Sequence, residues 1–133
     1  MAGEHSPRKA LLDRALRLFQ QGYEHQMSGE VDEAAALYEA SIGLFPTAEA
    51  HTFLAWTHSF EGRLDDAIQQ CQKAIEVDPE FGNAYNDLGA YLIEQGKIPR
   101  ADVQRTLFEL ADGGWIERVE LAKSVRVKLE GKD

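Results

Sequence analysis

The stretch AYNDLGAYLIEQGK at residues 84–97 is echoed by AHTFLAWTHSFEGR at residues 50–63 and, more faintly, by RLFQQGYEHQMSGE at residues 17–30. In each copy, apolar residues recur three and four positions apart, which is the period of an amphipathic helix. Each copy ends with a glycine followed by a charged residue. The same helix at three places along the chain indicates a repeat architecture, in which stacked copies bury a continuous core.

Glycine and proline residues mark the period of the repeat. Gly29, Gly62 and Gly96 are spaced 33 and then 34 residues apart. A glycine just beyond a helix can adopt the left-handed conformation that satisfies the last carbonyls, so each is predicted to end one helix and start a turn. Pro46 and Pro79 disfavour helical geometry at the residue before them. They are therefore predicted to end the second helix of the first two units.

Composition and charge exclude several classes of protein. With 133 residues, 44% hydrophobic and 28% charged, the chain is predicted to be one soluble domain with a real core. Its net charge of -9 argues against nucleic acid as a partner, because nucleic-acid readers usually show a basic surface. No segment approaches the roughly 20 apolar residues of a membrane span, so no membrane association is expected. The lone Cys71 and an N-terminus without a signal-peptide pattern favour a cytoplasmic localisation.

The chain resembles tetratricopeptide repeat proteins, whose 34-residue unit is two antiparallel helices with a Trp, Leu, Gly, Tyr, Ala, Phe, Pro pattern. The resemblance spans about residues 15–112. Each position of the pattern is filled by one residue in the first, second and third unit, in that order. The Trp position holds Leu18, His51 and Tyr85; the Leu position holds Gln21, Leu54 and Leu88; the Gly position holds Gly22, Ala55 and Gly89; and the Tyr position holds His25, His58 and Leu92. In the second helix, the Ala position holds Ala34, Ala67 and Ala101; the Phe position holds Tyr38, Cys71 and Arg105; and the Pro position holds Pro46, Pro79 and Gly113. The third unit departs from the pattern in its second helix, at Arg105, Phe108 and Gly113.

The resemblance implies an all-α fold, a right-handed α-solenoid of about three helix-turn-helix units plus a C-terminal capping helix. A flexible tail is expected over residues 1–6 and a single domain over residues 7–133, with seven helices in all. The units are expected at about 15–47, 48–81 and 82–114, with the capping helix at 115–130, where Trp115, Val119, Ala122, Val125 and Leu129 form an apolar stripe.

An aromatic strip is predicted on the inner, concave face of the first helices. At about 100° per residue, this face lies roughly a right angle from the buried stripe. Aromatic anchors commonly hold a partner, so the chain is predicted to bind another protein or a peptide there. The predicted partner-binding residues are Phe19, Tyr23, Gln26, Met27, Thr52, Trp56, Phe60 and Asn86. The alternative is that these aromatic residues only pack against each other or against the terminal helix.

Some members of the resembled family grip a partner's C-terminal carboxylate with Lys, Asn and Arg at inner positions. The equivalent positions here are Phe19, Tyr23, Phe53, Asn83 and Asp87, so that clamp is absent and a receptor for chaperone tails is not expected.

An enzyme is not expected, because neither a glycine-rich phosphate loop nor a nucleophile elbow is present. No cofactor or metal is predicted, since packing explains His25 and His58 in an aromatic position and Cys71 is expected to be buried and inert. A structural, self-assembling scaffold remains the alternative function. The chain is expected to be a monomer or a weak homo-oligomer.

Overall fold

The computed structural model of the protein describes residues 6–96 and 98–110. The described residues form six α-helices and no strand, which confirms the prediction of an all-α fold. The helices are α1 (Pro7–Met27), α2 (Val31–Leu44), α3 (Ala48–Phe60), α4 (Leu64–Val77), α5 (Gly82–Gln95) and α6 (Arg100–Leu110). The capping helix predicted for residues 115–130, which would be the seventh, lies outside the described residues.

The helices stack in pairs to form an α-solenoid. Each helix packs against the next one in the chain, which gives the pairs α1–α2, α3–α4 and α5–α6. Helix α3 also contacts α5. The first helices of successive pairs therefore lie side by side, and their shared face forms one surface of the solenoid.

Helix α1 begins at Pro7, and the residue before it caps the helix. Ser6 is its N-cap, and the Ser6 hydroxyl accepts a hydrogen bond from the backbone N–H of Lys9 at 3.2 Å. Pro7 follows at the first helical position, where its missing N–H costs nothing. Helix α3 has a similar start, because the side chain of Thr47 accepts a hydrogen bond from the N–H of Ala50 at 3.1 Å.

The turns within the repeats form as the glycine spacing predicts. Gly29, Gly62 and Gly96 have φ values of 79°, 80° and 75°, in the left-handed region that glycine adopts without strain. In the second unit, the N–H of Gly62 donates to the carbonyl of Ser59 at 3.0 Å, and the N–H of Arg63 donates to that of His58 at 2.8 Å. These two bonds make up a Schellman motif, which satisfies the last carbonyls of α3.

A close contact between α1 and α2 joins Gly22 to Tyr38. A Cβ atom placed on Gly22 would lie 2.6 Å from a ring carbon of Tyr38, so only glycine fits there. The ring of Tyr38 is fully buried, and burial raises the pKa of its hydroxyl to about 12. The hydroxyl donates a hydrogen bond to Oε1 of Gln26 at 2.7 Å. Position 22 therefore carries the small residue that the repeat pattern requires.

The second and third pairs share a core. Ala55, Gly89, Cys71 and Tyr85 are all buried in it, and the burial of Cys71 confirms the expectation from its position in the repeat. The hydroxyl of Tyr85 donates to the carbonyl of Pro79 at 2.7 Å. This bond ties α5 to the turn that follows α4.

The sequence assignment for α6 was wrong. Ala101 and Arg105, which occupy the alanine and phenylalanine positions by spacing, are exposed, whereas Val103 and Leu107 are fully buried. Helices α2 and α4 each begin two residues after the preceding turn glycine, whereas α6 begins four residues after Gly96. The two additional residues shift the buried face of α6 by two positions.

Candidate functional site

A concave cavity of about 210 Å³ opens on the side of the solenoid where α1, α3 and α5 meet. Its lining consists of Gln26 from α1; Thr52, Phe53 and Trp56 from α3; Phe81, the N-cap of α5; and Asn83 and Asp87 from α5. Small-molecule sites usually measure about 300 Å³ or more, so this cavity suits a single side chain better than a whole small molecule.

Phe53, which lines the cavity, belongs to a cluster of four aromatic rings. The ring of Phe53 lies 5.0 Å from that of Phe19, 5.9 Å from that of Tyr23 and 5.8 Å from that of Tyr38, measured between centroids. These tilted and edge-to-face contacts are the geometries that aromatic pairs prefer. We call Phe19, Tyr23, Tyr38 and Phe53 the Phe53 cluster. It joins the first repeat to the second and at the same time presents the ring of Phe53 to the cavity.

Trp56 supplies the largest aromatic side chain of the lining. It is half-buried, and its ring centroid lies 5.4 Å from that of Phe60, at the end of α3. Phe60 is itself 66% exposed. The pair extends the apolar surface from the cavity along the inner face of α3.

The polar side chains of the lining differ in their hydrogen-bond partners and in their exposure. Oε1 of Gln26 accepts the hydrogen bond from Tyr38, which orients the amide. The hydroxyl of Thr52 donates back to the carbonyl of Ala48 within its own helix. Asn83 is exposed at the edge and Asp87 is half-buried. The cavity therefore combines an aromatic floor with amide and carboxylate groups on the α5 side.

The eight predicted partner-binding residues fall into three groups. Gln26, Thr52 and Trp56 line the cavity, and Phe19 and Tyr23 contact Phe53 in the Phe53 cluster. The other three lie outside the cavity lining: Met27 and Phe60 are 62% and 66% exposed, and Asn86 is half-buried. Phe19 and Tyr23 pack against other aromatic residues, but Tyr23 is also 37% exposed, so partner binding through these two residues stays a prediction.

The lining residues that the prediction missed are Phe53, Phe81, Asn83 and Asp87. The prediction followed one row of residues along the first helix of each pair. The cavity lies at the boundary between adjacent first helices, so two rows of residues face it, one on each side of that boundary. Phe53, Asn83 and Asp87 occupy positions of the clamp of the resembled family, and those positions were the available signal. Phe81 precedes its helix, so helical periodicity could not find it.

The histidines have separate surroundings. His51 Nδ1 lies 2.7 Å from Oε1 of Gln70, and His25 Nδ1 lies 3.1 Å from Oε1 of Glu30. His58 is 7% exposed, and burial lowers the pKa of its imidazole below the usual value. Within residues 6–96 and 98–110, no three His, Cys, Asp or Glu side chains are grouped so that they could hold a metal ion.

A second concavity, also of about 210 Å³, lies between α1 and the end of α2. Its lining residues are Arg14, Arg17, Leu18, Gln21 and Leu44. The arginine and glutamine side chains are exposed, and no aromatic residue is among those that line it. It therefore lacks the rigid anchors that the first cavity offers.

None of the described helices is both long and apolar enough to cross a membrane.

Comparison with protein families identifies the repeat. Two family models, both described as Tetratricopeptide repeat, match residues 19–76 and 71–102, so together they cover most of the described helices. The chain belongs to the tetratricopeptide repeat family. Its three helix pairs are therefore tetratricopeptide repeat units, with the departure in α6 described above.

Curated and solved proteins of the same repeat type resemble this chain. The TPR repeat-containing thioredoxin TTL4 of Arabidopsis thaliana is 31% identical over 74 residues, which are 55% of this chain and 11% of that protein. This tetratricopeptide repeat chain thus spans about a tenth of that relative.

Among solved structures, the Arabidopsis OM64 TPR domain superposes with a TM-score of 0.71 at 17% identity, over 92% of this chain and 99% of that one. The first TPR of Spaghetti (RPAP3), bound to the HSP90 peptide SRMEEVD, superposes with a TM-score of 0.66 at 21% identity, over 86% and 95% of the two chains. At these identities the superpositions establish a shared tetratricopeptide repeat fold.

Proposed function

We propose that the protein is a non-catalytic interaction module that binds a peptide segment of another protein in the cavity between α1, α3 and α5. The observation that carries the proposal is the cavity itself, whose floor and wall are the rings of Phe53, Trp56 and Phe81. Tryptophan and other large aromatic residues are the usual anchors of protein interfaces, because they bury much apolar area with little loss of side-chain entropy.

Three further observations support the proposal. The volume of about 210 Å³ matches one inserted side chain of a longer segment. A solved relative with the same fold, the first TPR of Spaghetti, is bound to an HSP90 peptide. The family itself is one of interaction modules, which favours a role without catalysis.

The proposal is tested with peptides selected on the immobilised protein from a library of random twelve-residue sequences. Affinities of the selected peptides are then measured by fluorescence anisotropy for the wild type, Trp56→Ala and Gln69→Ala. Trp56→Ala should weaken binding by roughly thirtyfold, because truncation of an interface anchor costs at least about 2 kcal/mol. Gln69, exposed on α4 and outside the cavity lining, is the matched control and should change nothing.

Circular dichroism distinguishes a lost site from a lost fold. A folded Trp56→Ala variant that binds as well as the wild type would place the partner elsewhere on the molecule. An unfolded variant would assign Trp56 to the core; binding to Asn83→Ala, which alters an exposed residue of the lining, would then decide whether the cavity is used.

Self-assembly is separated from foreign binding by sedimentation over a range of concentrations. A monomer at all concentrations supports a foreign partner. A dimer that Trp56→Ala dissociates would instead assign the cavity to a second copy of this chain.

A further inference from the structure

We propose that two copies of this chain associate edge to edge, each placing the end of its α4 helix in the second concavity of the other. The inserted segment is residues 76–80, which we call the acidic turn. The receiving surface is the concavity between α1 and the end of α2, which we call the arginine concavity. None of these described residues lines the cavity between α1, α3 and α5, so the contact is independent of the proposed peptide binding.

The arginine concavity carries two cations without partners. Arg14 and Arg17 lie about one turn apart on α1, and neither guanidinium makes a hydrogen bond or an ion pair within the described part of the chain. Among the described residues that line the concavity, none is acidic. Asp13, the carboxylate beside Arg14 in the sequence, is already paired with Lys9 at 2.9 Å. The concavity therefore attracts carboxylates, although the chain as a whole has a net charge of -9.

The acidic turn is an exposed segment of the opposite charge. All five of its residues are exposed, and its acidic members are Glu76, Asp78 and Glu80. Neither glutamate has an ion-pair partner within the residues that the structure describes. Lys73, one turn earlier on α4, is the cation nearest in the sequence and is also exposed. Between the carboxylates lies Val77, an apolar side chain that is 45% exposed.

Hydrogen bonds hold the acidic turn in one conformation. Oδ1 of Asp78 accepts a hydrogen bond from the N–H of Glu80 at 3.1 Å, and the carbonyl of Asp78 accepts one from the N–H of Phe81 at 3.1 Å. The hydroxyl of Tyr85 donates to the carbonyl of Pro79 at 2.7 Å. A segment that is already ordered loses little conformational entropy when it binds.

Val77 matches the apolar part of the arginine concavity. Leu18 and Leu44 are half-buried in its lining, and Leu11, which is 37% exposed, lies on the same face of α1 as Leu18. The volume of about 210 Å³ has room for a valine side chain. With Val77 against the leucines, its acidic neighbours meet the two arginines, and arginine–carboxylate pairs are strong, charge-assisted hydrogen bonds. An exposed apolar residue that is complementary to a pocket elsewhere on the same molecule leads to self-association.

The placement of the two surfaces favours a closed dimer. Leu44 is the last residue of α2, and Val77 is the last residue of α4. The second helices of successive repeats run in the same direction, so the two surfaces lie along the same edge of the solenoid, one repeat apart. A two-fold axis midway between them brings each concavity against the acidic turn of the other copy. Two contacts then form together, which compensates for the small contribution of each surface ion pair.

The test uses two charge-reversed variants and their mixture. Arg14→Glu/Arg17→Glu reverses the concavity, and Glu76→Lys/Glu80→Lys reverses the acidic turn. In sedimentation up to millimolar protein, the wild type should dimerise, and each variant alone should dimerise at least about tenfold more weakly, because like charges then face each other. An equimolar mixture of the two variants should dimerise again, since each concavity then meets a turn of opposite charge. The lysine variant is less negative overall, so general repulsion does not explain its loss.

Three controls accompany the mixture. Glu94→Lys reverses an exposed carboxylate of α5 outside both surfaces, and it should dimerise like the wild type, as should Trp56→Ala. Val77→Ser should weaken the dimer without a change of charge, and it replaces the charge variants if circular dichroism shows either of them unfolded. Raising the salt from about 0.1 M to about 1 M should dissociate the dimer, because the screening length falls from about 10 Å to about 3 Å.

Three outcomes would overturn the proposal. The first is a wild type that stays monomeric at every concentration. The second is a mixture of the two charge variants that associates no better than either alone, which would place the interface elsewhere. The third is association that continues beyond the dimer, which would contradict the closed two-fold arrangement. Peptide binding in the cavity, read from Trp56→Ala, is unaffected by any of the three.

Discussion

His58 is buried in the aromatic position of the second repeat, where its ring is held neutral. Its buried Nδ1 has no hydrogen-bond partner among the described residues, so a proton added there would gain nothing in return. Burial is the main cause of its lowered pKa, and Arg63 lowers the pKa further. Asp66, Glu39 and Glu61 oppose the shift but do not cancel it.

The folded protein should lose stability below pH 6.5 because of His58. A lowered pKa in the folded state means that the unfolded chain binds the proton more readily, so the contribution of the neutral ring is present above pH 6.5 and is lost as the pH falls. One such group changes stability by at most about 1.4 kcal/mol per pH unit. Melting temperatures measured from pH 7.5 to pH 5 should fall less for His58→Phe, which cannot take up a proton, than for the wild type. Parallel curves for the two proteins would contradict this.

At the scale of a single helix, α6 provides a direct test of the shifted register. Leu107→Ala should destabilise the protein by about 2–5 kcal/mol, because Leu107 is fully buried and its truncation leaves a cavity. Arg105→Ala should change stability by no more than about 0.5 kcal/mol. Arg105 is exposed, and its ion pair with Asp102, at 3.1 Å, lies on the surface, where such pairs contribute little.

Urea denaturation of both variants gives the comparison. A large loss of stability for Arg105→Ala with a small loss for Leu107→Ala would contradict the structure. It would favour the assignment from the sequence spacing, in which Arg105 faces the core.

The helix ends show why most elements were predictable and this one was not. Gly29, Gly62 and Gly96 are local signals. Each has a positive φ, which favours glycine at that one position whatever the rest of the chain does. The start of α6 depends instead on how many residues the turn after Gly96 uses, and Pro99 lies just before the helix begins. Counting a constant period through that turn puts the wrong residues in the core.

At the scale of the whole molecule, the apolar stripe predicted for residues 115–130 stays a prediction. A repeat stack needs an atypical element at its end to cover the last apolar face. Deleting residues 115–133 should therefore lower the melting temperature and promote aggregation. Thermal melting and light scattering of the truncated chain measure both effects, and a truncated chain that melts and stays soluble like the full chain would contradict the prediction of a cap.

The site was less predictable than the fold because it is made between repeats. The arc of one helix can be calculated from its own sequence, and this found Gln26, Thr52 and Trp56. The contribution of α5 depends on how that helix is placed against α3, which a single-helix calculation does not contain. A single-helix calculation therefore misses Asn83 and Asp87, and in the sequence only the clamp positions of the resembled family pointed to them.

The position of Phe53 restricts how this surface can diverge. Its ring lines the cavity, and its centroid lies within 6 Å of the ring centroids of Phe19, Tyr23 and Tyr38. A substitution of Phe53 that alters the cavity therefore also weakens the packing of the first repeat against the second. Asn83, on the α5 side of the cavity, is exposed, so it can change at a lower cost in stability. In descendants of this chain, a change of preferred ligand should thus arise first by substitution on α5, while the aromatic floor is inherited unchanged.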